Sequence, residues 1–320
     1  MSPEQKYVVG VDLGGTNLRL GLANRDGAVV ARWSCPTVGI RDPKLVVDLI
    51  RDGVDHLGRQ ASVPRRDIHS IGVGAPGITN VEAGVVIATS YLMGWRDVPL
   101  RDLLEAALGI PASVDNDVNV AAIGESWVGA AKGTRDFVFL AIGTGIGAGI
   151  VLDGRCFRGA GWTAGEVGYM LLPGTPEVPV GRGQPGQVEE MLGGNGVKSQ
   201  WQLIWKADAT TLPKDLTATE IFDQALLGDS LAIEILRRCA HILAQLIYNI
   251  ALVLNCPLFV LGGGVGMHSG LRDETQRLLD QWGTRVQPRL ALSSLGTDAQ
   301  LMGAIRLALD IGQSQTAHPD

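Results

Sequence analysis

Two stretches of the chain share one pattern of apolar and polar positions. Residues 7–27 and 137–154 each read as an apolar, β-branched strand, a Gly-rich turn, a second strand and a closing Asp-Gly turn. This order of elements predicts a β-hairpin in each stretch. The repeat predicts two halves of like fold.

Outside these hairpins the apolar positions follow either helical or strand spacing. Helices are predicted over 43–60, 100–108, 117–131, 194–205, 217–227, 230–254, 271–282 and 298–309. Strands are predicted over 68–74, 85–88, 111–114, 258–261 and 289–292, and loops over 35–43, 89–95 and 180–196. The helix over 230–254 is apolar nearly all round after Cys239, so we expect it to be buried.

The Gly-rich turns of the two hairpins carry the first chemical signal. Glycine permits φ > 0 and has no Cβ to hold a ligand away, and consecutive backbone N–H groups form a concave anion site that suits phosphate. A single turn of this kind is equally well explained as a tight turn. Two copies, each after an apolar strand, favour one phosphate loop in each half.

Composition narrows the class of protein. The chain has 320 residues, of which 46% are hydrophobic and 19% charged, which suits a globular protein of two domains. Its 43 glycines are about twice the usual share, and they cluster at turns. The net charge of −6, without a Lys/Arg-rich block, argues against nucleic-acid binding. No apolar run reaches the roughly 18 residues of a membrane span. The four cysteines show no metal or disulfide spacing, and no signal peptide is recognisable before residue 7, so a cytoplasmic protein is expected.

Several motifs, in their order along the chain, resemble a known superfamily. The two phosphate motifs and the adenosine motif of the actin–hexokinase ATPases resemble Asp12-x-Gly14-Gly15-Thr16, Gly143-Thr144-Gly145-Ile146-Gly147 and Leu261-Gly262-Gly263-Gly264. The ROK (repressor, open reading frame, kinase) family of bacterial sugar kinases has motifs similar to Asp115-Asn116-Asp117-Val118-Asn119, Gly165-Glu166-Val167-Gly168 and Glu189-x-x-x-Gly193-Gly194. The resemblance spans about residues 7–310.

The resemblance implies an architecture. We expect an α/β protein of two ribonuclease-H-like (actin-like ATPase) domains, each with a mixed five-stranded sheet flanked by helices, and an active site in the interdomain cleft. The first domain is expected over residues 1–117, completed by a returning C-terminal helix at 298–312, and the second over 118–297. Similar proteins are commonly dimers, so a homodimer is the expected assembly.

Asp117 is the candidate catalytic base. It lies where a short strand ends and a helix begins, and the free N–H groups of a helix N-terminus keep a carboxylate ionised. Such a carboxylate can take the proton of a sugar hydroxyl as the oxygen attacks the γ-phosphate of ATP. A plain helix N-cap would explain an isolated Asp as well. The neighbouring Asn116 and the two phosphate-type loops favour the base, and the family's base matches Asp117.

The resemblance also implies the ligand contacts. Glu166 and Glu189, which alone would read as solvated surface residues, match the family's sugar-binding glutamates, and a carboxylate accepts several hydrogen bonds. The other implied sugar contacts are Gly77, Ser90, Asn116 and Tyr169. Asp12 would hold the water shell of Mg²⁺. The implied ATP contacts are Asp12, Gly14, Gly15, Thr16, Gly143, Thr144, Gly145, Gly262, Gly263 and Gly264.

One departure from the family pattern concerns zinc. Many members carry a His three residues after the first glutamate and a Cys-x-Cys-Gly-x-x-Gly-Cys run before the second. Here the four ligand positions hold Tyr169, Val180, Arg182 and Gln187. Because none of these is a usual zinc ligand, we predict no zinc site and expect packing to hold residues 180–187. Tyr169, together with Tyr91 where similar proteins often have Asn, leaves the identity of the sugar open.

Two functions from different classes fit these residues. The first is an ATP- and Mg²⁺-dependent kinase that phosphorylates the primary hydroxyl of a hexose, with glucose as the default. The second is a sugar-binding regulator or a catalytically silent sugar sensor, because the family also includes transcriptional repressors. Those carry a helix-turn-helix domain before the first phosphate motif, where this chain has six residues before Tyr7, and they tend to lose the nucleotide loops that are intact here. Polyphosphate is the alternative donor, and another hexose or an N-acetylated aminosugar the alternative acceptor.

Overall fold

The computed structural model describes residues 6–89, 92, 94–177, 184–206, 208–283 and 285–314. The strands in these ranges are β1 (Tyr7–Leu13), β2 (Asn17–Asn24), β3 (Val29–Pro36), β4 (Ile68–Ala75), β5 (Ile78–Asn80), β6 (Val85–Ala88), β7 (Arg96–Val98), β8 (Ala112–Asn116), β9 (Phe137–Ile142), β10 (Ile146–Leu152), β11 (Arg155–Phe157), β12 (Leu258–Gly262) and β13 (Arg289–Leu292). The helices are α1 (Pro43–Ala61), α2 (Leu100–Leu108), α3 (Asp117–Val128), α4 (Glu189–Leu192), α5 (Gly194–Ile204), α6 (Ala218–Leu226), α7 (Ser230–Leu254), α8 (Gly263–Gly266), α9 (Ser269–Trp282) and α10 (Ala299–Ser314).

The chain groups into two compact units. Unit 1 comprises Met1–Lys132, Arg158–Thr163 and Thr297–Asp320, and unit 2 comprises Gly133–Phe157 and Ala164–Gly296. This division differs from the expected one, since α3 groups with unit 1 and not with the second domain. The cause is close packing: a Cβ on Gly124 of α3 would collide with the carbonyl oxygen of Ala299, so the backbones of α3 and α10 meet directly.

Unit 1 is built on a five-stranded sheet of order β3-β2-β1-β4-β8. β1 pairs antiparallel with β2 and parallel with β4, and β8 continues the parallel half. Successive side chains of a strand point to opposite faces. Accordingly Val9 packs in the same buried cluster as Ile50 of α1, whereas Val8 packs with Leu301 and Ile305 of α10. Helices therefore cover both faces of this sheet.

Unit 2 repeats this arrangement with a sheet of order β11-β10-β9-β12-β13. β9 pairs antiparallel with β10 and parallel with β12, as β1 does with β2 and β4. The long helix α7 is buried in this core, where Leu243, Leu246 and Ile247 are fully shielded from solvent. The pair of mixed five-stranded sheets flanked by helices confirms the expected fold class. None of the described helices is long and apolar enough to cross a membrane.

Several short elements were not predicted from the sequence. β3 is an edge strand that extends to Pro36, into a stretch expected to be a loop, and one of its faces is largely exposed. β5, β7 and β11 have three residues each, too few to display a period. α4 falls in the stretch 180–196, which was expected to be a loop. Its four residues are too few to display a helical pattern.

Candidate functional site

Asp117 is the first residue of α3, and Asn116 before it is the N-cap. The Oδ1 of Asn116 accepts hydrogen bonds from the backbone N–H groups of Val118 (2.9 Å) and Asn119 (3.1 Å). The Oδ1 of Asp117 accepts from Val118 N (2.9 Å) and from Nδ2 of Asn116 (3.1 Å). Because Asn116 performs the capping, the cap does not account for an acid at position 117. Both donors stabilise negative charge on the half-buried Asp117 carboxylate.

Asn116 also connects Asp117 to Gly77. Its Nδ2 donates to the carbonyl oxygen of Gly77 at 2.9 Å. Gly77 has φ of 100°, and a Cβ there would collide with the carbonyl oxygen of Ala88, so the turn after β4 requires glycine. The structure thus brings Gly77, Asn116 and Asp117 together in unit 1. Ser90 and Tyr91 lie outside the described residues.

Asp115 is buried next to this group and is hydrogen-bonded to it. Its side chain is 2% exposed, and its Oδ2 accepts from Nε (3.0 Å) and Nη2 (2.5 Å) of Arg158. Its Oδ1 accepts from the backbone N of Asn116 (2.8 Å) and from Nδ2 of Asn119 (3.4 Å). Sequence reasoning did not find Arg158, because its partner is 43 residues away in the chain. The buried ion pair holds the residues on both sides of Asp117.

The first Gly-rich turn follows β1 in unit 1. Asp12, near the end of β1, is 4% exposed and is paired with Arg19, whose Nε donates at 2.7 Å. The amide nitrogen of Gln300, when it faces Asp12, donates to both carboxylate oxygens at 3.2 Å. Burial raises the pKa of Asp12, and the charge of Arg19 acts in the opposite direction. Gly14 closes the turn with a bond from its N to the carbonyl oxygen of Asn17 (2.8 Å). Neither Arg19 nor Gln300 was predicted as a partner.

The second Gly-rich turn and the adenosine-type motif are neighbours in unit 2. A Cβ on Gly263, which has φ of 78°, would collide with the carbonyl oxygen of Ile142, the residue before Gly143. Gly143 and Gly264 are different, because a Cβ at either would meet nothing within 4 Å in the described structure. Neither the fold nor the φ angle requires glycine at these two positions. Open glycines at the ends of two strands suit a ligand that approaches the backbone.

Thr144 and Gly145 complete the exposed turn of this loop. The backbone N of Gly143 donates to the carbonyl oxygen of Gly145 (3.0 Å), and Thr144 at the tip is exposed. In the first turn, Gly15 is half-buried and Thr16 is exposed in the same way. Gly262 ends β12, where a Cβ would collide with the ring of Phe139. The predicted nucleotide residues therefore lie at or just after the ends of strands, Asp12 to Thr16 in unit 1 and the others in unit 2.

Three titratable side chains of unit 2 lie within electrostatic reach of one another. Although Glu166 is an exposed residue, nearby protein atoms partly desolvate its carboxyl group and raise its pKa, and the negative charge of Glu189 adds to this. Partial burial raises the pKa of Glu189, against a hydrogen bond from the backbone N of Ile146 (2.9 Å). The pKa of Tyr169 is raised by partial burial and by both carboxylates. The predicted sugar residues Glu166, Tyr169 and Glu189 are therefore grouped.

Similarity to known proteins shows the family of this chain. A family model described as "ROK family" matches residues 8–311. The chain belongs to the ROK family. It is 31% identical to a glucokinase of Halalkalibacterium halodurans over 93% of each chain. It is 29% identical to an N-acetylmannosamine kinase of Salmonella arizonae, over 93% of this chain and 97% of that one. The crystal structure of a ROK family glucokinase from Streptomyces griseus in complex with glucose and AMPPNP matches with a TM-score of 0.77 at 26% identity, covering 95% of this chain and 99% of that chain.

The zinc positions of many ROK proteins hold unsuitable side chains here. Tyr169 and Gln187 are described, whereas Val180 and Arg182 lie outside the described residues. This donor set does not fit zinc, which takes Cys, His or carboxylate ligands. Among the described residues, no group of three or more His, Cys, Asp or Glu side chains could hold a metal ion.

Hydrogen bonds, in addition to packing, hold the described part of the segment after residue 183. The hydroxyl of Tyr169 donates to the carbonyl oxygen of Gln184 (3.2 Å). The backbone N of Val188 donates to the carbonyl oxygen of Gly168 (3.0 Å), and a Cβ on Gly186 would collide with the same oxygen. The segment that precedes Glu189 is therefore fastened to the residues that follow Glu166.

Proposed function

We propose that this ROK protein transfers the γ-phosphate of ATP to the primary hydroxyl of a hexose, with glucose as the first acceptor to test. The observation that carries the proposal is the setting of Asp117. A carboxylate that does not serve as the helix cap stands at a helix N-terminus, beside an amide and a glycine turn. The N–H groups at a helix N-terminus stabilise the ionised carboxylate that a general base must offer to a hydroxyl.

In the proposed reaction Asp117 takes the proton of the attacking hydroxyl. A bond forms between the hydroxyl oxygen and the γ-phosphorus, the bond from that phosphorus to the bridging oxygen of ATP breaks, and ADP leaves with the electron pair. Glu166 and Glu189 accept hydrogen bonds from other sugar hydroxyls and fix the orientation of the ring. The proposal assigns the base to unit 1 and these two carboxylates to unit 2.

The proposed donor is MgATP. The open glycines Gly143 and Gly264 leave backbone surface that phosphate and adenosine can approach, and Thr16 and Thr144 offer exposed hydroxyls. Mg²⁺ usually keeps several waters and binds one or two carboxylates together with the substrate's phosphates. We assign this role to Asp12 and expect it to act only through water, since a carboxylate that is nearly covered and paired with Arg19 is poorly placed to bind the ion directly.

The choice of sugar is proposed to depend on Tyr169. This side chain is 45% exposed and lies within electrostatic reach of both Glu166 and Glu189. Its position is the one at which many ROK proteins have His. A tyrosine takes more room than histidine, and its hydroxyl already donates to Gln184. The relatives named above include kinases of glucose and of N-acetylmannosamine, so both sugars belong in the test.

The deciding experiment is a coupled assay of ADP release from MgATP with a panel of glucose, mannose, fructose, N-acetylmannosamine and N-acetylglucosamine. Sugar-dependent ADP release is expected, and the preferred acceptor identifies the substrate. A parallel series with polyphosphate tests the donor. Sugar binding by calorimetry without ADP release from any sugar would overturn the kinase and favour a silent sugar sensor or regulator.

A further inference from the structure

Glu189 has a second contact besides its proposed sugar. Its Oε2 accepts a hydrogen bond from the backbone N of Ile146 at 2.9 Å. Ile146 begins β10 directly after the turn Gly143–Gly145, which is the second phosphate-type loop. One oxygen of this carboxylate is therefore bonded to the backbone on which that loop ends. The other oxygen has no hydrogen bond among the described contacts and is the one that the proposed function assigns to a sugar hydroxyl.

The segment that begins with Glu189 also holds the start of the same loop. After the single turn of α4, the backbone N of Gly194 donates to the carbonyl oxygen of Gly143 at 2.8 Å. A Cβ on Gly193 would lie 2.7 Å from the carbonyl oxygen of Thr144. Residues 189–194 therefore form hydrogen bonds at the start and the end of the loop, and Gly193 packs closely against its tip. The bond at the end is made by the Glu189 side chain.

Glu166 provides the contrast. Its neighbour Gly165 accepts a hydrogen bond from the backbone N of Ala148 (2.8 Å), two residues further into β10. Among the described contacts, the Glu166 side chain has no hydrogen bond to residues 143–146. The two proposed sugar carboxylates thus differ in one respect: only the side chain of Glu189 is bonded to the loop.

We infer that Glu189 couples the binding of sugar to the binding of nucleotide, because one carboxylate contacts both the sugar and the phosphate loop. A sugar hydroxyl bound to one carboxylate oxygen restricts the rotamer of Glu189. The other oxygen is then held on the N–H of Ile146, which orders the loop Gly143–Gly145. A nucleotide that then binds loses less conformational entropy. By linkage, the nucleotide must tighten sugar binding by the same factor. The inference rests on the proposed function, since it requires that the site bind a sugar and ATP.

The test is a thermodynamic cycle measured by calorimetry. The Kd of Mg-AMPPNP is measured with and without a saturating concentration of the acceptor preferred in the turnover assay, glucose by default. In the unmodified protein the sugar should tighten AMPPNP binding by about 5–20-fold. Glu189→Ala should reduce this factor to below about 2. Glu189→Gln, which keeps an oxygen acceptor for Ile146 N–H, should retain most of it.

Glu166→Ala is the matched control. It also removes a proposed sugar carboxylate, so it should weaken sugar binding, yet at saturating sugar it should keep the coupling factor. A factor that survives Glu189→Ala, or that is lost equally in Glu166→Ala, would overturn the inference. The two proposals fail differently: a protein without sugar-dependent turnover refutes the kinase, and a working kinase without coupling refutes only the role of Glu189.

A measurement on the unmodified protein covers the case in which Glu189→Ala does not fold. Hydrogen–deuterium exchange of a peptide that includes residues 143–147 should slow when sugar is added without nucleotide. Exchange at Ala148, whose amide donates to Gly165, serves as the internal reference. Sugar binding that leaves the exchange of residues 143–147 unchanged would contradict the inference.

Discussion

Asp115 and Asp117 are two residues apart, and their surroundings give them different roles. The Asp115 carboxylate is covered and bonded through both oxygens, to Arg158 on one side and to backbone and side-chain amides on the other. No substrate hydroxyl can reach a group that is 2% exposed. Asp117 is partly accessible, and two of its donors are the backbone N–H of Val118 and the side-chain amide of Asn116. The motif alone offers two acids for the proposed base, and of the two only Asp117 is accessible enough for that proposal.

Replacement of Asp117 by Asn should lower kcat by about 10²–10⁴-fold, because an amide cannot accept the proton of the hydroxyl. The Kd of Mg-AMPPNP should stay within about twofold, since Asn keeps the oxygen that accepts from Val118 N. Turnover and calorimetry on the same preparation check both values. Near-normal turnover in Asp117→Asn would remove this residue as the base.

Sugar affinity should weaken on mild acidification. The pKa values of Glu166 and Glu189 are both raised, chiefly by burial. These carboxylates therefore become protonated at a higher pH than an ordinary Glu, whose pKa is about 4.3. A protonated carboxyl accepts fewer hydrogen bonds, so the sugar favours the ionised form. The Kd for the preferred sugar, measured by calorimetry without nucleotide, should therefore rise as the pH is lowered from about 7.5 to about 5.

Glu166→Gln serves as the control for this pH dependence. It removes one of the two titrating groups, so its profile should be flatter while its affinity at pH 7.5 is already lower. A wild-type affinity that stays constant down to about pH 4.5 would contradict the assignment of these two residues as ionised sugar ligands.

Helices with explicit end signals could be predicted nearly to the residue, whereas edge strands could not. α7 matches the predicted range 230–254, because the Asp229 side chain caps its start and Asn255 adopts a left-handed conformation at its end. α1 begins at Pro43 after the N-cap Asp42 and ends one residue beyond the expectation. Edge strands such as β3 and β11 are fixed by pairing with a neighbour, and this is not visible in their own few residues.

The same distinction applies to the candidate site. Turns at strand ends are local, so the positions of Asp12, Asn116 and Asp117 could be read from the motifs. Their partners are not local: Arg158 and Gln300 come from distant parts of the chain, and nothing near them in sequence signals the pairing. Ser90 lies outside the described residues, so its predicted role stays a prediction.

The ion pair that holds the start of α3 should contribute more stability than an exposed pair. Arg158→Met would leave the buried Asp115 charge without its guanidinium, and the free energy of unfolding should fall by about 3 kcal/mol. The matched control is Arg51→Met, which breaks a 2.8 Å pair with Asp48 whose side chains are 43% and 48% exposed. That loss should be below about 1 kcal/mol. Urea unfolding compares the two, and equal losses would contradict the importance of the buried pair.

Gly143 of the second loop and Gly193, which packs against that loop, should respond differently to replacement by alanine. Gly143→Ala should leave the free energy of unfolding within about 0.5 kcal/mol of wild type, because its Cβ has open space, yet raise KM for ATP by about tenfold or more. Gly193→Ala places its Cβ 2.7 Å from a carbonyl oxygen and should destabilise the fold by about 1–3 kcal/mol. Unchanged KM for ATP in Gly143→Ala would argue against a phosphate at this loop.

The two units share a strand order and place a Gly-rich turn between the first two strands of each sheet. The units differ in their additions: unit 1 carries the small sheet β5-β6-β7, and unit 2 carries the segment that leads to Glu189. Here backbone and tyrosine hydrogen bonds fasten its described part, so the molecule should not depend on zinc.

Elemental analysis of purified protein should find zinc well below one ion per chain. Treatment with the zinc chelator 1,10-phenanthroline, in the presence of excess Mg²⁺, should leave turnover and the unfolding temperature unchanged. The reason is that Tyr169 and Gln187 occupy two of the expected zinc-ligand positions, and neither is a usual zinc ligand. A ROK kinase that has the Cys and His ligands is the positive control. One tightly held zinc per chain would refute the prediction.

The late position of α10 in the chain has a consequence for synthesis on the ribosome. Unit 1 is completed by this helix: Ser70 of β4 donates through its hydroxyl to the carbonyl oxygen of Ala308, 238 residues later. At about 5–20 residues per second, β4 leaves the ribosome tens of seconds before its covering helix. All of unit 2 is translated in the meantime. A nascent chain therefore presents one uncovered sheet face for most of its synthesis, and this is the interval in which we expect chaperones to bind it.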